Sequence, residues 1–527
     1  MRETDHQQLS FRLCALLCLL PFAVFSQAQV VSYPLPPIYR TSAHYTLKAG
    51  GTPVPVTACN GKYDYAHFSM AGRETEIRIT VLKGWPSRWR ISPARTGICA
   101  KRKGSDLVFN LPKDAYLIIK LNNLPELVIA ADPLEKDVPP PAGSGIFNVA
   151  DRYHADQTGK TLATAAVQKA IDDAAAFRNG TVYVPPGVYK LGNLKLKSNT
   201  RVYLAGGAVF LFSGRREDYT IHARKKSQNR DLTWWISTDS GAHDIKLFGR
   251  GTLDGNGKYA TETGRVGNHI LAIMHGNRFV LDGLVIRESG AWAVIPTRSK
   301  NIRLKNFKLF NRFDMGENDG VDVMESRNVR IEHAIGIALD DPFSTKTWEQ
   351  DTDLCRNWPG RPLPQRNILF RDLLSWTYCY GYKIGQGVLQ PQQDITFKDC
   401  VVYDAAVGIG VHHKWGTQPV TGVRFRNIEV ERLSYQNDDH RTWGVFFMQN
   451  GDKKGSGPIA GLSLENIRIY DAGRSPAKLK GLSQQRMVSR VRFRNVRMPA
   501  AAAAAKTLKE MNVTDTAFVT DIKILTR

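Results

Sequence analysis

The sequence has no apolar run long enough to cross a membrane, because a spanning helix needs about 20 apolar residues in succession. It has no CxxC pair, which argues against a structural zinc site. No run of basic residues interleaved with aromatics builds the stripe of a nucleic-acid-binding surface. The hydrophobic content of 42% and the charged content of 23% exclude a mostly disordered chain, a collagen and a coiled coil. What remains is a folded, turn-rich chain of 527 residues, long enough for several domains or one solenoid.

Acidic residues are comparatively few, with 49 against 72 basic residues and a formal net charge of +23. Such a charge favours an anionic partner, for example an acidic polysaccharide, a cell surface or nucleic acid. The basic residues are spread along the whole chain, however, as is typical of a solvated surface. We therefore predict no nucleic-acid partner. We also predict that the chain has no transmembrane segment and is a monomer.

The first 28 residues have the features of a secretion signal. Arg2 and Arg12 precede a short apolar run over 13–24. Ser26-Gln27-Ala28 follows it and has the small-x-small pattern of a cleavage site. We predict a signal peptide over 1–28, a mature chain that begins near Gln29, and secretion to the periplasm or outside the cell.

Cysteine is scarce, and Cys14 and Cys18 fall within the predicted signal peptide. The others are Cys59, Cys99, Cys355, Cys379 and Cys400, an odd number. In an oxidising compartment Cys59 could pair with Cys99, and two of the last three could pair with each other. The sequence alone does not fix the connectivity.

Residues 29–138 contain short alternating segments, such as 76–81 and 116–119, separated by turn residues. This pattern predicts a small β-sandwich domain. The Pro- and Gly-rich stretch 139–145 predicts a linker, and a catalytic domain is predicted over 146–527. One amphipathic helix over 161–177 would cover the open end of that second domain.

One phrase recurs in the second domain: alternating apolar residues, then a small polar residue and another apolar residue. An example is Asn301-Ile302-Arg303-Leu304-Lys305-Asn306-Phe307. The first apolar residues of the copies are Ile245, Phe279, Ile302, Val329, Ile368, Ile395, Val423, Leu462 and Val491. The steps vary from 23 to 39 residues while the phrase stays constant. We therefore predict one coil of a parallel β-helix per copy, with insertions in the loops between strands.

An acidic cluster falls in two consecutive predicted coils. Asp340 and its neighbour Asp341 follow Asp319 by one coil, since 21 residues separate Asp319 from Asp340. The two positions should be stacked about 5 Å apart. Repulsion among the carboxylates should raise at least one pKa, giving a proton donor beside ionised groups that activate water, as glycosidic hydrolysis requires. Alternatively, Asp340 and Asp341 cap a turn or bind calcium.

The order of several motifs resembles that of the polygalacturonases, glycoside hydrolase family 28. The motifs are Gly249-Arg250-Gly251-Thr252-Leu253-Asp254-Gly255-Asn256-Gly257, Asn318-Asp319-Gly320, Asp340-Asp341 with Lys346, and Gly381-Tyr382-Lys383-Ile384-Gly385. The resemblance covers about 146–470 and implies an all-β protein with a right-handed parallel β-helix of the pectin lyase type. It further implies an inverting hydrolase in which Asp340 is the general acid and Asp319 with Asp341 activates the water. Asp322 has no match in these motifs and is predicted to lie in a turn or to support its neighbours.

Two motifs of that family differ in this chain. A supporting histidine of the family falls at Tyr380, and its Arg-Ile-Lys motif falls at His412-His413-Lys414. The resemblance implies that Lys346, Tyr380, Lys383, His412 and Lys414 contact the substrate. A β-sandwich ahead of a β-helix that lacks this histidine is also similar to the dextranase and isopullulanase group, family 49, which cuts neutral α-glucans. The sugar and the choice between endo and exo action therefore stay open.

We expect a polysaccharide or oligosaccharide substrate, no cofactor and no metal. His412 and His413 are adjacent and so point to opposite faces of a strand, which argues against a shared metal. A cluster of aromatics is expected to line the groove in part: Trp348, Trp358, Trp376, Tyr378, Tyr380, Trp415 and Trp443. Two alternatives are a polysaccharide lyase with Lys383 or Lys414 as proton acceptor, and a non-catalytic carbohydrate-binding β-helix.

Overall fold

The computed structural model describes residues 30–177, 179–350, 352–436 and 440–526. The predicted signal peptide lies outside the described residues. Two α-helices occur in the described part of the chain, α1 (Thr164–Ala176) and α2 (Gly257–Gly264), and the rest is mostly β-strand. No helix in this part is both long and apolar enough to span a membrane.

The N-terminal region forms two sheets. Its strands are β1 (Val30–Ser32), β2 (Tyr45–Ala49), β3 (Thr52–Val54), β4 (Val56–Cys59), β5 (Tyr63–Met70), β6 (Thr75–Val81), β7 (Trp89–Ser92), β8 (Lys101–Lys103), β9 (Asp106–Leu111), β10 (Ala115–Leu121) and β11 (Glu126–Pro133). A six-stranded sheet has the order β1-β5-β11-β10-β7, with β4 on β5, and a five-stranded sheet has the order β3-β2-β6-β9-β8. Alternate residues of both sheets meet in one apolar core, so we call residues 30–133 the sheet pair.

The strands that follow build a coil. They are β12 (Ile146–Asn148), β13 (Thr158–Leu162), β14 (Thr181–Val184), β15 (Gly187–Leu191), β16 (Leu194–Leu196), β17 (Arg201–Leu204), β18 (Ala208–Phe212), β19 (Ala223–Lys225), β20 (Arg230–Thr238), β21 (His243–Gly249), β22 (Thr252–Asp254), β23 (Val266–Met274), β24 (Asn277–Asp282), β25 (Val285–Arg287), β26 (Val294–Thr297), β27 (Lys300–Lys305), β28 (Lys308–Phe310), β29 (Val321–Met324), β30 (Arg327–Ala338), β31 (Phe343–Lys346), β32 (Gln365–Thr377), β33 (Tyr380–Gly387), β34 (Gln392–Asp404), β35 (Val407–Trp415), β36 (Val420–Thr421), β37 (Arg424–Val430), β38 (Thr442–Met448), β39 (Ile459–Ala460), β40 (Ser463–Ile469), β41 (Ala477–Lys480), β42 (Val488–Arg497), β43 (Val513–Ala517) and β44 (Val519–Leu525).

These strands form two long, mostly parallel sheets that face each other across one core. The 12-stranded sheet runs β16-β20-β23-β26-β29-β31-β33-β35-β38-β41-β43, with β19 antiparallel to β20. The other strands make a 21-stranded sheet. The predicted fold class is confirmed: an all-β chain whose main body is a right-handed parallel β-helix.

The recurring phrase folds as its pattern predicts. In β27 the side chains of Ile302 and Leu304 are buried in the core, while Arg303 between them is exposed. Asn306 then adopts a left-handed backbone conformation with φ 54°, which short polar residues tolerate. Its amide donates to Asp282 Oδ1 of the preceding coil at 2.7 Å. The turn residue therefore both bends the chain between β27 and β28 and ties neighbouring coils together.

The sheet pair packs on the 21-stranded sheet through an apolar cluster. Tyr116 and Val128 of the sheet pair meet Ile335, Trp376 and others from the β-helix. The five cysteines of the described chain are all free thiols, so the pairings expected from the sequence are not formed. Cys59 is buried in this cluster whereas Cys99 is exposed, and Cys355, Cys379 and Cys400 lie in separate coils or loops.

Candidate active site

Three aspartates lie where the chain enters two neighbouring strands of the 12-stranded sheet. Asp319 precedes β29, and Asp340 and Asp341 precede β31. The two strands pair in parallel, and the amide of Gly320 donates to the carbonyl of Asp341 at 2.9 Å. The predicted stacking of the acids in consecutive coils is therefore confirmed.

The residues on either side of Asp319 hold the two coils close together. The side-chain oxygen of Asn318 accepts from the amides of Leu339 at 3.0 Å and Asp340 at 3.3 Å. At Gly320 an added Cβ would lie 2.2 Å from the carbonyl oxygen of Pro342, so only glycine fits. The Asn-Asp-Gly motif thus has a structural explanation at its first and last positions.

Two of the aspartates are paired with lysines. Lys346 Nζ lies 2.6 Å from Asp319 Oδ2, and Lys383 Nζ lies 2.7 Å from Asp341 Oδ2. Burial by itself lowers the pKa of Lys383, but attraction to Asp341 outweighs it, and the pKa lies above its ordinary value. The same balance raises the pKa of Lys346. Both lysines are therefore cations at neutral pH, bound to the acids.

Asp340 makes no ion pair with any described residue. Burial raises its pKa well above the ordinary value, and the charges of Asp319 and Asp341 raise it further. Its Oδ1 accepts from the amide of Asp341 at 2.9 Å. Asp340 is thus the carboxyl group of the three that is best placed to carry a proton.

Asp322 lies within β29, so the predicted turn position is wrong and the alternative, a residue that supports its neighbours, remains. Its carboxylate accepts from the hydroxyl of Ser344 and lies 3.0 Å from Lys346 Nζ. Burial raises the pKa of Asp322 to about 8, against the opposing effect of Lys346. Asp322 therefore supports Lys346 beside Asp319.

Tyr380 and Cys379 lie one coil further on. The amide of Tyr380 donates to Asp341 Oδ1 at 3.1 Å, and its ring lies 4.6 Å from Lys383 Nζ. Cys379 was not predicted from the sequence, yet its thiol lies within 4.8 Å of Asp340 and Asp341 oxygens. Burial and the two acids raise the pKa of this thiol well above its ordinary value, so it is protonated.

The group of Asp340, Asp341 and Cys379 has ligand atoms close enough for a metal ion. Both oxygens of Asp341, however, already accept hydrogen bonds, from Tyr380 and Lys383. The adjacent ammonium group also opposes a cation. These contacts by themselves account for the position of the Asp341 carboxylate.

His412 and Lys414 lie on the outer face of β35. Burial, helped by Lys383, lowers the pKa of His412 to about 3, so its imidazole is neutral. Its Nε2 lies 3.1 Å from Gln449 Oε1, and its ring stacks on Phe447. Lys414 Nζ lies 4.7 Å from the centre of the Trp415 ring. His413 points to the opposite side and contacts the carbonyl of Gln418 at 2.7 Å.

A row of indoles borders the acids. Trp415 packs against Trp348, Trp348 stacks on Trp292, and Trp292 lies 4.4 Å below Lys346 Nζ. Trp292 was not predicted, although it occupies the coil position equivalent to Asp319, because Val294 pairs with Val321 in register. Among the other predicted aromatics, Trp443 is in the core, and Trp358 belongs to the loop after β31 and packs on the upstream strands. Trp376 faces the sheet pair with Tyr378 nearby.

Several polar atoms of this region have no hydrogen-bond partner among the described residues. They are Asp319 Oδ1, His412 Nδ1 and Trp348 Nε1, and each is buried. Buried polar atoms in proteins are nearly always paired, so an unpaired one calls for a partner such as a water or a bound ligand. These atoms mark the floor and the aromatic edge of the candidate site.

The long loop between β31 and β32 covers the outer face of the upstream strands. Its Cys355 and Trp358 pack on Met274, Ile295 and Met324. A buried guanidinium, that of Arg298, donates to the carbonyls of Trp358 and Gly360, at 3.2 and 2.5 Å. The amide of Arg224 donates to the carbonyl of Asp353 at 3.2 Å, closing the loop onto the hairpin of β19 and β20. The loop therefore lies over the outer face of the strands that precede the acids in the coil.

Comparisons with known proteins agree on one family. The model of glycosyl hydrolases family 28 matches residues 176–438. A probable polygalacturonase of Vitis vinifera is 21% identical over 369 residues, which are 66% of this chain and 73% of that protein. The family 28 exopolygalacturonase of Yersinia enterocolitica has a TM-score of 0.55 at 15% identity, covering 95% of this chain and 96% of its own. Dex49A from Penicillium minioluteum has a TM-score of 0.55 at 12% identity, with 94% and 96% covered. At these identities the two structures are evidence for the fold alone.

Proposed function

This chain belongs to the glycosyl hydrolases family 28 and is a polygalacturonase-like glycoside hydrolase, and on that premise we propose that it is a secreted, inverting enzyme. In this proposal it removes sugars from one end of a uronate-containing polysaccharide. The lyase and the non-catalytic alternatives are overturned by the family assignment. The lyase is also disfavoured by Lys383, which is bound to Asp341 and so is a poor proton acceptor.

The observation that carries the proposed mechanism is an asymmetry among the three acids. Asp319 and Asp341 are each paired with a lysine, whereas Asp340 has no cationic partner among the described residues and a strongly raised pKa. A general acid must hold a proton at the working pH, and a base must be able to take one. Asp340 fits the first role, and Asp319 with Asp341 fits the second.

In the proposed step, Asp340 donates its proton to the glycosidic oxygen as the bond to the anomeric carbon breaks. Asp319 and Asp341 hold a water on the opposite side and take its proton as it attacks that carbon. The new hydroxyl replaces the leaving sugar with inversion. Asp319 Oδ1 is free to bind this water because Lys346 occupies the other oxygen.

Exo action is supported by the loop that covers the strands upstream of the acids. The loop of 347–350 and 352–364 is held against the β19–β20 hairpin and, in this proposal, would leave room for few sugars beyond the acids on that side. A chain end can enter such a site, whereas the middle of a polymer cannot pass through it. Lys346, Trp292 and Trp348 would then surround the terminal sugar.

A uronate substrate is supported by the basic charge of the chain and by the named activity of one relative, a probable polygalacturonase. A neutral glucan is the second candidate. It is favoured by His412, a neutral imidazole that binds a carboxylate less firmly than a guanidinium would.

The test is product analysis with purified protein on polygalacturonate, oligogalacturonides, rhamnogalacturonan, dextran and pullulan. We expect monomer from polygalacturonate with little loss of viscosity, no product that absorbs as an unsaturated uronide, and a first product of inverted anomeric configuration by NMR. Asp340→Asn is the inactive control.

Each part of the proposal has its own contrary result. A rapid fall in viscosity with a ladder of oligomers would disprove exo action, and a retained anomer would disprove inversion. Release from dextran or pullulan alone would replace the uronate with a neutral glucan. The predicted export is tested by whether secreted protein begins near Gln29.

A further inference from the structure

Two columns of side chains run along the outer surface of the 21-stranded sheet, on a different sheet from the acids. They are formed by the outward residues of the recurring phrase, which stand in register from coil to coil. The first column is Arg303, Arg330, Leu369, Thr396, Arg424, Ser463, Arg492 and Lys523, and the second is Lys305, Glu332, Arg371, Lys398, Arg426, Glu465 and Arg494. Because paired strands lie about 4.8 Å apart, the first column is roughly 34 Å long.

The acids in these basic columns do not neutralise them. Glu332 lies between two arginines, 3.1 Å from Arg303 and 2.6 Å from Arg371. Glu465 is likewise shared between Arg426 and Arg494, at 3.7 and 3.6 Å. Each acid therefore fixes two guanidinium groups and cancels the charge of one.

Other cations of the first column are available to a ligand. Arg330, Arg492 and Lys523 are exposed and make no ion pair with any residue that the structure describes. Arg424 is exposed and lies 3.7 Å from Asp394, which is itself well exposed. A row of uncompensated positive charge thus follows the axis of the coil.

The surface beside the first column is concave. A groove of about 790 Å³ crosses successive coils and is lined by Arg303, Arg330 and Arg424 together with Leu369 and Thr396. One edge is a ladder of asparagine side chains, in which Asn328 donates to Asn301 at 3.1 Å and Asn367 donates to Asn328 at 2.7 Å. The groove is therefore a regular channel lined by three arginines and one acid, Asp394.

The chemistry of the channel selects its ligand. The columns contain no aromatic side chain, so neither the face of a neutral sugar nor a nucleic-acid base can stack there. Guanidinium groups match carboxylates in bidentate geometry. Neighbouring guanidinium groups of the column are one or a few coils apart, which is about 4.8 Å or a small multiple of it. This spacing suits a chain that carries one carboxylate on each sugar.

We propose that the basic columns are a second, non-catalytic binding surface for an acidic polysaccharide, a polyuronate chain. The inference rests on the proposed function in one respect, since the ligand is the polymer whose end would enter the active site. Binding here would keep a long chain near the enzyme and raise the effective concentration of its end. Short oligomers, which cannot reach both places, would gain nothing.

The test measures binding without catalysis. In an Asp340→Asn background, the triple variant Arg330→Glu/Arg424→Glu/Arg492→Glu is compared with a control of equal charge change, Lys101→Glu/Arg102→Glu/Lys103→Glu on exposed β8. Mobility in gels containing polygalacturonate gives the dissociation constant. We expect about a tenfold or larger loss of affinity in the column variant and little change in the control, since each tenfold is about 1.4 kcal/mol.

A second variant guards against misfolding. Arg330→Gln/Arg424→Gln/Arg492→Gln keeps side chains of similar length and should lose affinity in the same direction with an unchanged melting temperature. In the active protein, the same changes should lower kcat/KM on polygalacturonate and leave it unchanged on a trisaccharide.

Three results would overturn the inference. The column variants could bind polygalacturonate as tightly as their parent, or the β8 control could lose as much affinity, which would reduce the effect to net charge. Tighter binding of duplex DNA than of polygalacturonate would make this a nucleic-acid surface. If the protein does not hydrolyse polygalacturonate but its binding still depends on the columns, the proposed function is disproved and the binding surface is not.

Discussion

Two buried clusters of aspartate and lysine differ in how completely their carboxylates are partnered. Asp132 lies at the contact between the sheet pair and the β-helix. It accepts from Tyr116 at 2.5 Å, pairs with Lys308, and has His67 at 2.8 Å and Arg250 at 3.2 Å. Burial by itself raises the pKa of Asp132, but Lys308 and its other partners outweigh burial and hold it well below the ordinary value.

The cluster around Asp340 also combines aspartates with lysines, but its carboxylates have fewer partners. Asp340 has no cationic partner among the described residues and a raised pKa, and Asp319 leaves one oxygen unpaired. A carboxylate with every oxygen satisfied stabilises a contact, whereas one left short of partners keeps a proton or a lone pair for chemistry. The number of partners, rather than burial or residue type, separates the two clusters.

The largest effect is expected from removing the proton of Asp340. Asp340→Asn should lower kcat by about 10³-fold or more, the range of a lost general acid, because a carboxamide cannot protonate a leaving oxygen. The melting temperature should change little, since no ion pair is broken. Kinetics and thermal unfolding of the same preparation check both halves. A variant with kcat within tenfold of the parent would show that the acid lies elsewhere.

The matching change in the other cluster should act on stability instead. Asp132→Asn leaves Lys308 and Arg250 buried without their anion, which should cost about 3–5 kcal/mol of unfolding free energy. Urea unfolding measures this loss, and kcat of the folded enzyme should remain close to that of the parent. Lost activity in a stably folded variant would contradict the structural role of this cluster.

The pH dependence should separate the clusters in opposite directions. Asp340 must be protonated to act, so kcat/KM should fall as pH rises through its raised pKa. Asp132 has a lowered pKa, so its contribution to stability is present above the ordinary aspartate pKa and is lost as pH falls below it. A rate profile and a melting-temperature profile over the same pH range make the comparison. An alkaline limb with no midpoint above the ordinary aspartate range would contradict the assignment of Asp340.

How far these features follow from the sequence depends on their range along the chain. The recurring phrase predicts the coil because each copy is local, with Ile302 inward, Arg303 outward and Asn306 in the turn. The one-coil spacing likewise predicts that Asp319 meets Asp340 and Asp341. The roles of these acids and of Lys346, Tyr380, Lys383, His412 and Lys414 stay predictions, as do the domain boundaries at 28, 138 and 145.

The features that were not predicted from the sequence depend on strand register or on contacts between residues far apart in the chain. Trp292 shares a coil position with Asp319, but this appears only when Val294 is aligned with Val321. Cys379 reaches the acids because the chain turns sharply after β32, and no spacing rule indicates it. The cluster of Asp132, Lys308 and Arg250 joins residues far apart in the sequence, so the pattern of neither segment predicts it.

The smallest effect is expected at His412, where a substitution changes how many hydrogen bonds the side chain can make to the substrate. Its neutral imidazole has Nε2 against Gln449 and an unpartnered Nδ1. His412→Arg should lower KM for oligogalacturonides by about tenfold through a bidentate, charge-assisted contact, equivalent to about 1.4 kcal/mol, while kcat stays near its value. His412→Gln is the matched control, because an amide preserves a neutral hydrogen-bonding group and should leave KM nearly unchanged. Initial rates over a range of oligomer concentrations give both constants. A rise in KM with arginine, together with better hydrolysis of neutral oligosaccharides by the parent, would mean that this position accepts an uncharged sugar.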